Sequence, residues 1–348
     1  MSANESKLAA SKSPLRMKKD NHILTIIALM LLVCIIMLIL KPGSYFTVLN
    51  VRSMIFQFPE YGVLALGMMA CMIAGGIDLS LVGIMNLSGV LAALIVKNMV
   101  LIEGGEVANP AMVVPAIVLA CVVAVVVGAA CGAFNGFIIG YFGLPAMLVT
   151  LCGLQLYTGL AYGITGGPAI NGMCDAFKNI ANGTVAGIPY VLFIFIAVVA
   201  VVVFIMKCTV FGHEIYFLGS NAQAAMYSGI NTLKVTIMTY MSSGILGGIS
   251  GLLITSHLNS AKSSNGSTYT LLSLLIVVLG GVHPDGGKGR VAGVVLAVLL
   301  LQMIANAFGL MHMSDNAKTF ANGCLLIAAL VLSVVLEKRE AQKAAAAS

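Results

Sequence analysis

The chain has 348 residues, of which 60% are hydrophobic and only 9% are charged. A soluble domain usually carries about a quarter charged residues, so this composition excludes an ordinary soluble protein. The formal net charge is +6 at pH 7, but the basic residues lie in short segments between apolar runs. They form no groove-sized patch, which argues against a nucleic-acid partner.

Apolar runs close to the ~20 residues that a helix needs to cross a bilayer recur along the whole chain. The runs are continuous rather than alternating, which excludes the strands of a membrane barrel. The sequence therefore predicts an all-α polytopic membrane protein with about ten transmembrane helices. In chain order, the predicted spans lie near residues 23–40, 60–76, 80–97, 111–129, 146–164, 189–206, 234–256, 270–282, 291–310 and 319–336.

The distribution of lysine and arginine predicts the orientation. The first apolar run follows a basic tail, and no small-residue cleavage site comes after it, which indicates a signal anchor. With the N-terminus inside, twelve basic residues fall in cytoplasmic segments and six fall outside, in agreement with the positive-inside rule. We therefore expect both termini in the cytoplasm, with tails at residues 1–22 and 337–348 and a membrane domain at residues 23–336.

The stretch GGIDLSLVGIMNLSG, which begins at Gly75, places Asp78 in a strongly apolar region. A charge at the centre of a bilayer costs about 2.5–3.5 kcal/mol on insertion scales, so this carboxylate needs partners. The two glycines can end one helix, and Asp78 can cap the next by accepting from the N–H group of Ser80 or of the following residue. The predicted span at 60–76 would be only about 25 Å long, which favours a helix break at partial depth. Direct contact of Asp78 with a substrate or partner is the alternative.

Several polar residues within or beside predicted spans are candidates to line a translocation path. Hydrogen bonds between helices are the alternative role for each of them. A path for a neutral solute needs only weak polar contacts, because tight binding would slow release. The candidates are Asp78, Ser80, Asn86, Asn135, Thr150, Gln155, Tyr157 and Asn306.

Signals for catalysis are weak. In the loop GGVHPDGGKGR, Gly287 and Lys288 match the end of a phosphate-binding loop. However, Val282 occupies the place of the first glycine, and Gly289 replaces the Ser or Thr that would hold magnesium. The eight cysteines are scattered singly, without metal-ligand spacing. We expect no catalysis, cofactor or metal in this chain, and a tight cytoplasmic turn at this loop.

A longer polar segment, KCTVFGHEIYFLGSNAQAAMYSGINTLK, separates two spans at residues 207–234. Within it, SNAQAAMYSGIN predicts a short helix that Ser220 or Asn221 caps and Gly229 ends. A short helix outside the bilayer indicates a docking element for a partner. A solvated surface turn is the alternative.

The same segment carries a family resemblance. Gln223-Ala224-Ala225, followed by Gly229, resembles the Glu-Ala-Ala...Gly loop of ATP-binding-cassette importer permeases, with Gln in place of Glu. GGIDLS, FNGFIIGYFGLPAMLVTLCGLQLYTGLAYGITGGPAI and VVLGGVHPDGGKGRVAG resemble blocks of the ribose and simple-sugar branch of this family. The blocks occur in the family's order over roughly residues 45–335.

The resemblance implies a permease subunit of the bacterial inner membrane that forms the pathway for a sugar or related small polar solute. It implies three partners: a cytoplasmic ATPase that carries the ATP and Mg, a second permease copy or a paralogue, and a periplasmic or lipid-anchored solute-binding protein. It also implies that a coupling loop near residues 207–233 contacts the ATPase. The residues assigned to this contact are Asn221, Gln223, Ala224, Ala225 and Gly229.

Two other functions remain open at the level of sequence. The first is a secondary transporter or channel that works without an ATPase. Only Asp78 and Glu60 are acidic groups near the membrane interior, and a proton or cation relay usually needs more ionisable groups than these two. The second is a purely structural scaffold, which the docking segment disfavours.

Overall fold

The computed structural model describes residues 21–100, 110–314, 316–328 and 331. The predicted tails at 1–22 and 337–348 lie almost entirely outside these residues. The fourteen α-helices within the described ranges are α1 Asn21–Leu40, α2 Pro42–Tyr45, α3 Val48–Ile73, α4 Leu81–Val100, α5 Val113–Phe142, α6 Ala146–Thr165, α7 Asp175–Asn182, α8 Tyr190–Cys208, α9 Val210–Ser220, α10 Ala222–Tyr227, α11 Thr232–Leu258, α12 Tyr269–Leu279, α13 Val291–Leu310 and α14 at 316–328.

Eight of the described helices are long and apolar enough to cross a membrane. A ninth apolar helix, α12, has only 11 residues, and α14 follows at the last predicted span. These helices confirm the predicted all-α polytopic fold, and about ten spans fit them. The orientation of the termini stays a prediction.

The predicted short span at residues 60–76 is wrong. Helix α3 begins at Val48 and has 26 residues, which corresponds to about 39 Å at about 1.5 Å per residue. Its first half carries Asn50, Arg52 and Gln57, which lower the local hydropathy. For this reason the predicted span did not include this part of the helix. The predicted break is nevertheless present, because α3 ends at Ile73 and α4 starts only at residue 81.

The connections between helices collect at two ends of the molecule. One end, here called the glycine-rich end, contains the connections at 74–80, 143–145, 209–231 and 280–290. The other, called the strand end, contains the connections at 41–47, 166–189 and 259–268. All four short strands lie at the strand end: β1 Ile170–Asn171 pairs antiparallel with β4 Ser260–Ala261, and β2 Thr184–Val185 with β3 Ile188–Pro189.

Helix α11 lies at the centre of the bundle and packs against α3, α4 and α5. Glycines allow its closest approach, to α5. A Cβ atom added to Gly128 would collide with the Gly244 carbonyl, and one added to Gly244 would collide with the Gly128 carbonyl. Small residues at such crossings let membrane helices reach van der Waals contact. These two glycines therefore serve the packing of the helices.

A buried polar network and a surface helix as candidate functional sites

Asp78 lies fully buried in the break between α3 and α4. One carboxylate oxygen accepts from the Ser80 N–H group at 3.1 Å and from the Ser80 hydroxyl at 2.6 Å. The other oxygen accepts from the Ser243 hydroxyl of α11 at 2.8 Å. The predicted acceptor role toward the Ser80 N–H is confirmed. Ser243 is a partner that the sequence did not indicate.

The network continues through two further helices. The Ser80 hydroxyl accepts from Asn135 Nδ2 of α5 at 2.8 Å, and the Tyr157 hydroxyl of α6 lies 2.8 Å from Asn135 Oδ1. The Thr150 hydroxyl lies 3.0 Å from the Ile77 carbonyl. Five of the eight path candidates thus come together, and all five are buried. In this conformation they join the break to α5, α6 and α11, so any contact with a solute stays a prediction.

The other three path candidates lie apart from the network. Asn86 is buried and donates to the Ser263 carbonyl at 2.8 Å. Asn306 exchanges two amide hydrogen bonds with Asn50, each 2.9 Å long, at the strand end. Gln155 is exposed on α6, and its side-chain amide makes no hydrogen bond with any described residue.

The predicted docking segment contains two helices, α9 and α10. Asn221 caps α10 by accepting from the Ala224 N–H group at 2.9 Å, and Gly229 follows the helix with φ of +82°. Both features agree with the predicted cap and helix end, since a positive φ favours glycine. The sequence did not indicate the preceding helix α9, whose cap is the Thr209 hydroxyl.

Ala225, one of the residues assigned to the ATPase contact, is fully buried within its own chain, so it forms no part of an exposed face in this conformation. A helix of one and a half turns has one side against the protein body, and the small residue occupies that side. The exposed apolar groups are instead Met226, at 57% exposure, and Tyr227, at 84%. These two side chains form the outward face of α10.

Helix α9 joins this surface to the break that holds Asp78. A Cβ atom on Gly219 would collide with the Ile73 carbonyl at the end of α3. That carbonyl accepts from the Gly287 N–H group at 2.8 Å, and the Tyr216 hydroxyl donates to the Gly289 carbonyl at 2.9 Å. Burial raises the pKa of the Tyr216 phenol, which keeps its proton available for donation. The break, α9 and the loop at 280–290 therefore form one contact region.

A second buried carboxylate lies toward the strand end, where the sequence had suggested no site. Glu60 of α3 is buried, and one of its oxygens contacts His257 Nδ1. The other oxygen accepts from the Tyr269 hydroxyl at 3.1 Å. No pattern in the sequence joins residues this far apart. Within the described residues, no group of three or more His, Cys, Asp or Glu could hold a metal ion.

Comparison with known proteins assigns the family. Residues 50–330 match the family described as the permease component of the branched-chain amino acid transport system. The chain belongs to this permease family. The match covers nearly the same residues as the resemblance found in the sequence and confirms it.

Curated relatives of this permease align over most of its length. The ribose import permease protein RbsC of Haemophilus influenzae is 33% identical over 309 residues, which cover 88% of this chain and 90% of the relative. RbsC of Bacillus subtilis is 32% identical over 300 residues, 86% of this chain and 88% of the relative. The L-arabinose transport system permease protein AraH of Escherichia coli is 25% identical over 315 residues, 90% of each chain. No solved structure matches this permease.

Proposed function

We propose that this permease is the transmembrane subunit of an ATP-binding-cassette importer and forms the pathway for a sugar or a related small polar solute. The observation that carries the proposal is α10, a capped surface helix with exposed apolar side chains that α9 connects to the break beside Asp78. The names of the relatives, which specify ribose import and L-arabinose transport, support a sugar as the solute. Three further components complete the importer: an ATPase that holds the ATP and Mg, a solute-binding protein and a second permease subunit.

Coupling to the ATPase passes through α10 in this proposal. Met226 and Tyr227 enter a groove of the ATPase, while Asn221 and Gly229 fix the two ends of the helix. Gln223 and Ala224 lie beside this face, and buried Ala225 seats the helix on its own chain. Because α9 packs on the end of α3, a displacement of α10 reaches the break at residues 74–80. Movement there would rearrange the hydrogen bonds of Asp78.

The glycine-rich end faces the cytoplasm in this proposal, and the strand end faces outward, in a bacterial inner membrane. Lys207, Lys234, Lys288 and Arg290 all lie at or next to the glycine-rich end, as the positive-inside rule requires. In a background without native cysteines, Lys288→Cys should react with an impermeant thiol reagent only from the cytoplasmic side. Labelling from outside would reverse the orientation.

A second permease copy covers one face of α6 in this proposal. Gln155, Gly159 and Gly163 are spaced four residues apart, so they lie on one side of the helix. Nothing lies within 4 Å of a Cβ atom added at either glycine, and the Gln155 amide makes no hydrogen bond among the described residues. An unpaired amide is costly against lipid. Across a two-fold axis, two copies of Gln155 can pair with each other.

One observation favours a second candidate function, a secondary transporter driven by an ion gradient. The buried contact between Glu60 and His257 is the kind of ionisable pair found in proton-coupled transporters. Copurification separates the two candidates. The proposed importer should retain its ATPase when purified in mild detergent from a strain that expresses both, whereas a secondary transporter would be recovered without it. Loss of the ATPase under every detergent condition would contradict the importer.

A further inference from the structure

A groove of about 780 Å³ opens at the strand end, within the roughly 300–1,000 Å³ typical of small-molecule sites. It lies between the N-terminal half of α3 and the last residues of α7, α11 and α13. None of the path candidates indicated by the sequence lines it. The lining residues that carry the argument are Arg52, Phe56, Asn182 and His257.

An aromatic and cationic stack forms one wall. The Arg52 guanidinium carbon lies 5.8 Å from the centre of the Phe56 ring, and the Phe56 ring stacks on His257 at 6.5 Å. Behind this wall, Glu60 contacts His257 Nδ1 and accepts from the Tyr269 hydroxyl. The buried carboxylate thereby fixes the orientation of the imidazole, whose other edge is directed away from Glu60.

The electrostatics of the groove select the class of ligand. Helices α7, α11 and α13 each end at the groove, where their last carbonyl groups carry partial negative charge. Asn182 directs its amide N–H groups to the carbonyls of Ser256 and His257 at 3.1 Å, so its side-chain oxygen is available to accept. Arg52 is the one arginine or lysine among the lining residues, and the lining residue His257 contacts the carboxylate of Glu60. The first turn of α3, whose N–H groups carry partial positive charge, also lines the groove, so together with Arg52 it offsets the three helix C-termini and the groove favours a neutral ligand.

We propose that this groove binds a neutral, polyhydroxylated solute as it enters the permease; this inference rests on the proposed function. Hydroxyl groups donate to Asn182 Oδ1 and to the helix carbonyls, and they accept from Arg52. The apolar face of the solute packs on Phe56. Glu60 is a positioning residue that acts through His257.

Protection of a single cysteine from labelling tests the groove directly. In the full-length permease without native cysteines, Ser53→Cys places a thiol at the exposed rim. Ser264→Cys, on an exposed residue at the same end but outside the groove, is the matched control. We expect D-ribose to slow maleimide labelling at position 53 but not at position 264, and D-ribose 5-phosphate to slow neither. Equal protection at both positions, stronger protection by the phosphate, or no protection at the solubility limit of D-ribose would overturn the proposal.

The contact residues are tested by the same protection at position 53. Arg52→Gln and His257→Gln each remove one polar contact, which should weaken the apparent affinity for D-ribose by about two- to tenfold. Glu60→Ala should weaken it as well, because the imidazole loses the acceptor that fixes its orientation. The rate of maleimide labelling at position 53 without sugar is the control. A variant that only disturbs the structure would change this rate, whereas a variant that only loses a contact with the sugar would not. Unchanged affinity in all three variants would contradict the assignment.

ATP-driven uptake by the parental importer is measured in parallel, which separates two kinds of failure. If uptake depends on ATP but Ser53→Cys is not protected, the groove assignment is wrong and the proposed function stands. If Ser53→Cys is protected but uptake does not depend on ATP, the groove stands and the importer is wrong.

Discussion

At the scale of single residues, the hydrogen bonds of Asp78 explain how a carboxylate is accommodated in an apolar region. Three donors from Ser80 and Ser243 surround its two oxygens. Because Ser80 belongs to the break and Ser243 belongs to α11, the carboxylate fixes the start of α4 against the central helix. Its removal would leave buried donors without partners.

Substitution of Asp78 should separate hydrogen bonding from side-chain shape. Asp78→Asn retains an oxygen that accepts from Ser80, and its amide can donate to the Ser243 hydroxyl, so we expect a small loss of stability. Asp78→Leu leaves the donors unpaired, at a cost of about 1–3 kcal/mol for each buried group. Thermal denaturation in detergent, followed by size-exclusion chromatography, measures the difference. A Leu variant as stable as the parent would contradict the structural role.

The local contact of this carboxylate could be predicted from sequence, whereas its distant contact could not. Ser80 lies two residues from Asp78, and a carboxylate that caps a following helix is a short-range pattern. Ser243 lies 165 residues away, and only the packing of α11 brings it close. The contact of Glu60 with His257 could not be predicted for the same reason, because the two residues are 197 positions apart in the sequence.

At the scale of helices, the crossing of α5 and α11 depends on glycines that meet backbone to backbone. Gly128→Ala would place a methyl group on the Gly244 carbonyl, and overpacking of this kind typically costs about 1–3 kcal/mol. Gly323→Ala is the matched control, because nothing lies within 4 Å of its added Cβ atom. We expect a lower denaturation temperature for Gly128→Ala and no decrease for Gly323→Ala. Equal effects would show that the crossing tolerates a wider separation.

The outward face of α10 should carry the contact with the ATPase. Met226→Ala and Tyr227→Ala remove exposed side chains, so the permease should fold normally but lose copurifying ATPase. Val201→Ala, an exposed position on α8, should leave copurification unchanged. Ala225→Glu should instead destabilise the permease itself, since the charge would be buried in its own chain. Normal copurification with the Tyr227 and Met226 variants would exclude this face as the contact.

The helices themselves were largely predictable, because long apolar runs in membrane proteins define spans by length alone. The first half of α3 was not predictable, because Asn50, Arg52 and Gln57 interrupt its apolar run. These polar residues turn toward Asn306, the groove and Gln302, respectively. Partners supplied by other parts of the fold explain why a helix continues where hydropathy predicts a loop.

At the scale of the whole molecule, the exposed face of α6 should be an interface between two permease copies. Gln155→Cys in a background without native cysteines should form a crosslinked dimer with a short bifunctional thiol reagent. Val201→Cys, on the exposed surface of α8, should not. Replacement of Gly159 and Gly163 by leucine should prevent the crosslink at position 155, because bulky side chains would keep the helices apart. Equal crosslinking at positions 155 and 201 would contradict the interface.

ATP-driven uptake by the assembled importer is the most direct test of coupling through α10. The permease is reconstituted in liposomes with its ATPase and binding protein, and uptake of labelled D-ribose is measured with ATP or a non-hydrolysable analogue at the cytoplasmic side. We expect the parental importer to take up D-ribose with ATP but not with the non-hydrolysable analogue. We expect Tyr227→Ala to lose this uptake although the amount of inserted permease is unchanged. Uptake that continues without ATP and follows a proton gradient, or full ATP-driven uptake by Tyr227→Ala, would contradict this coupling.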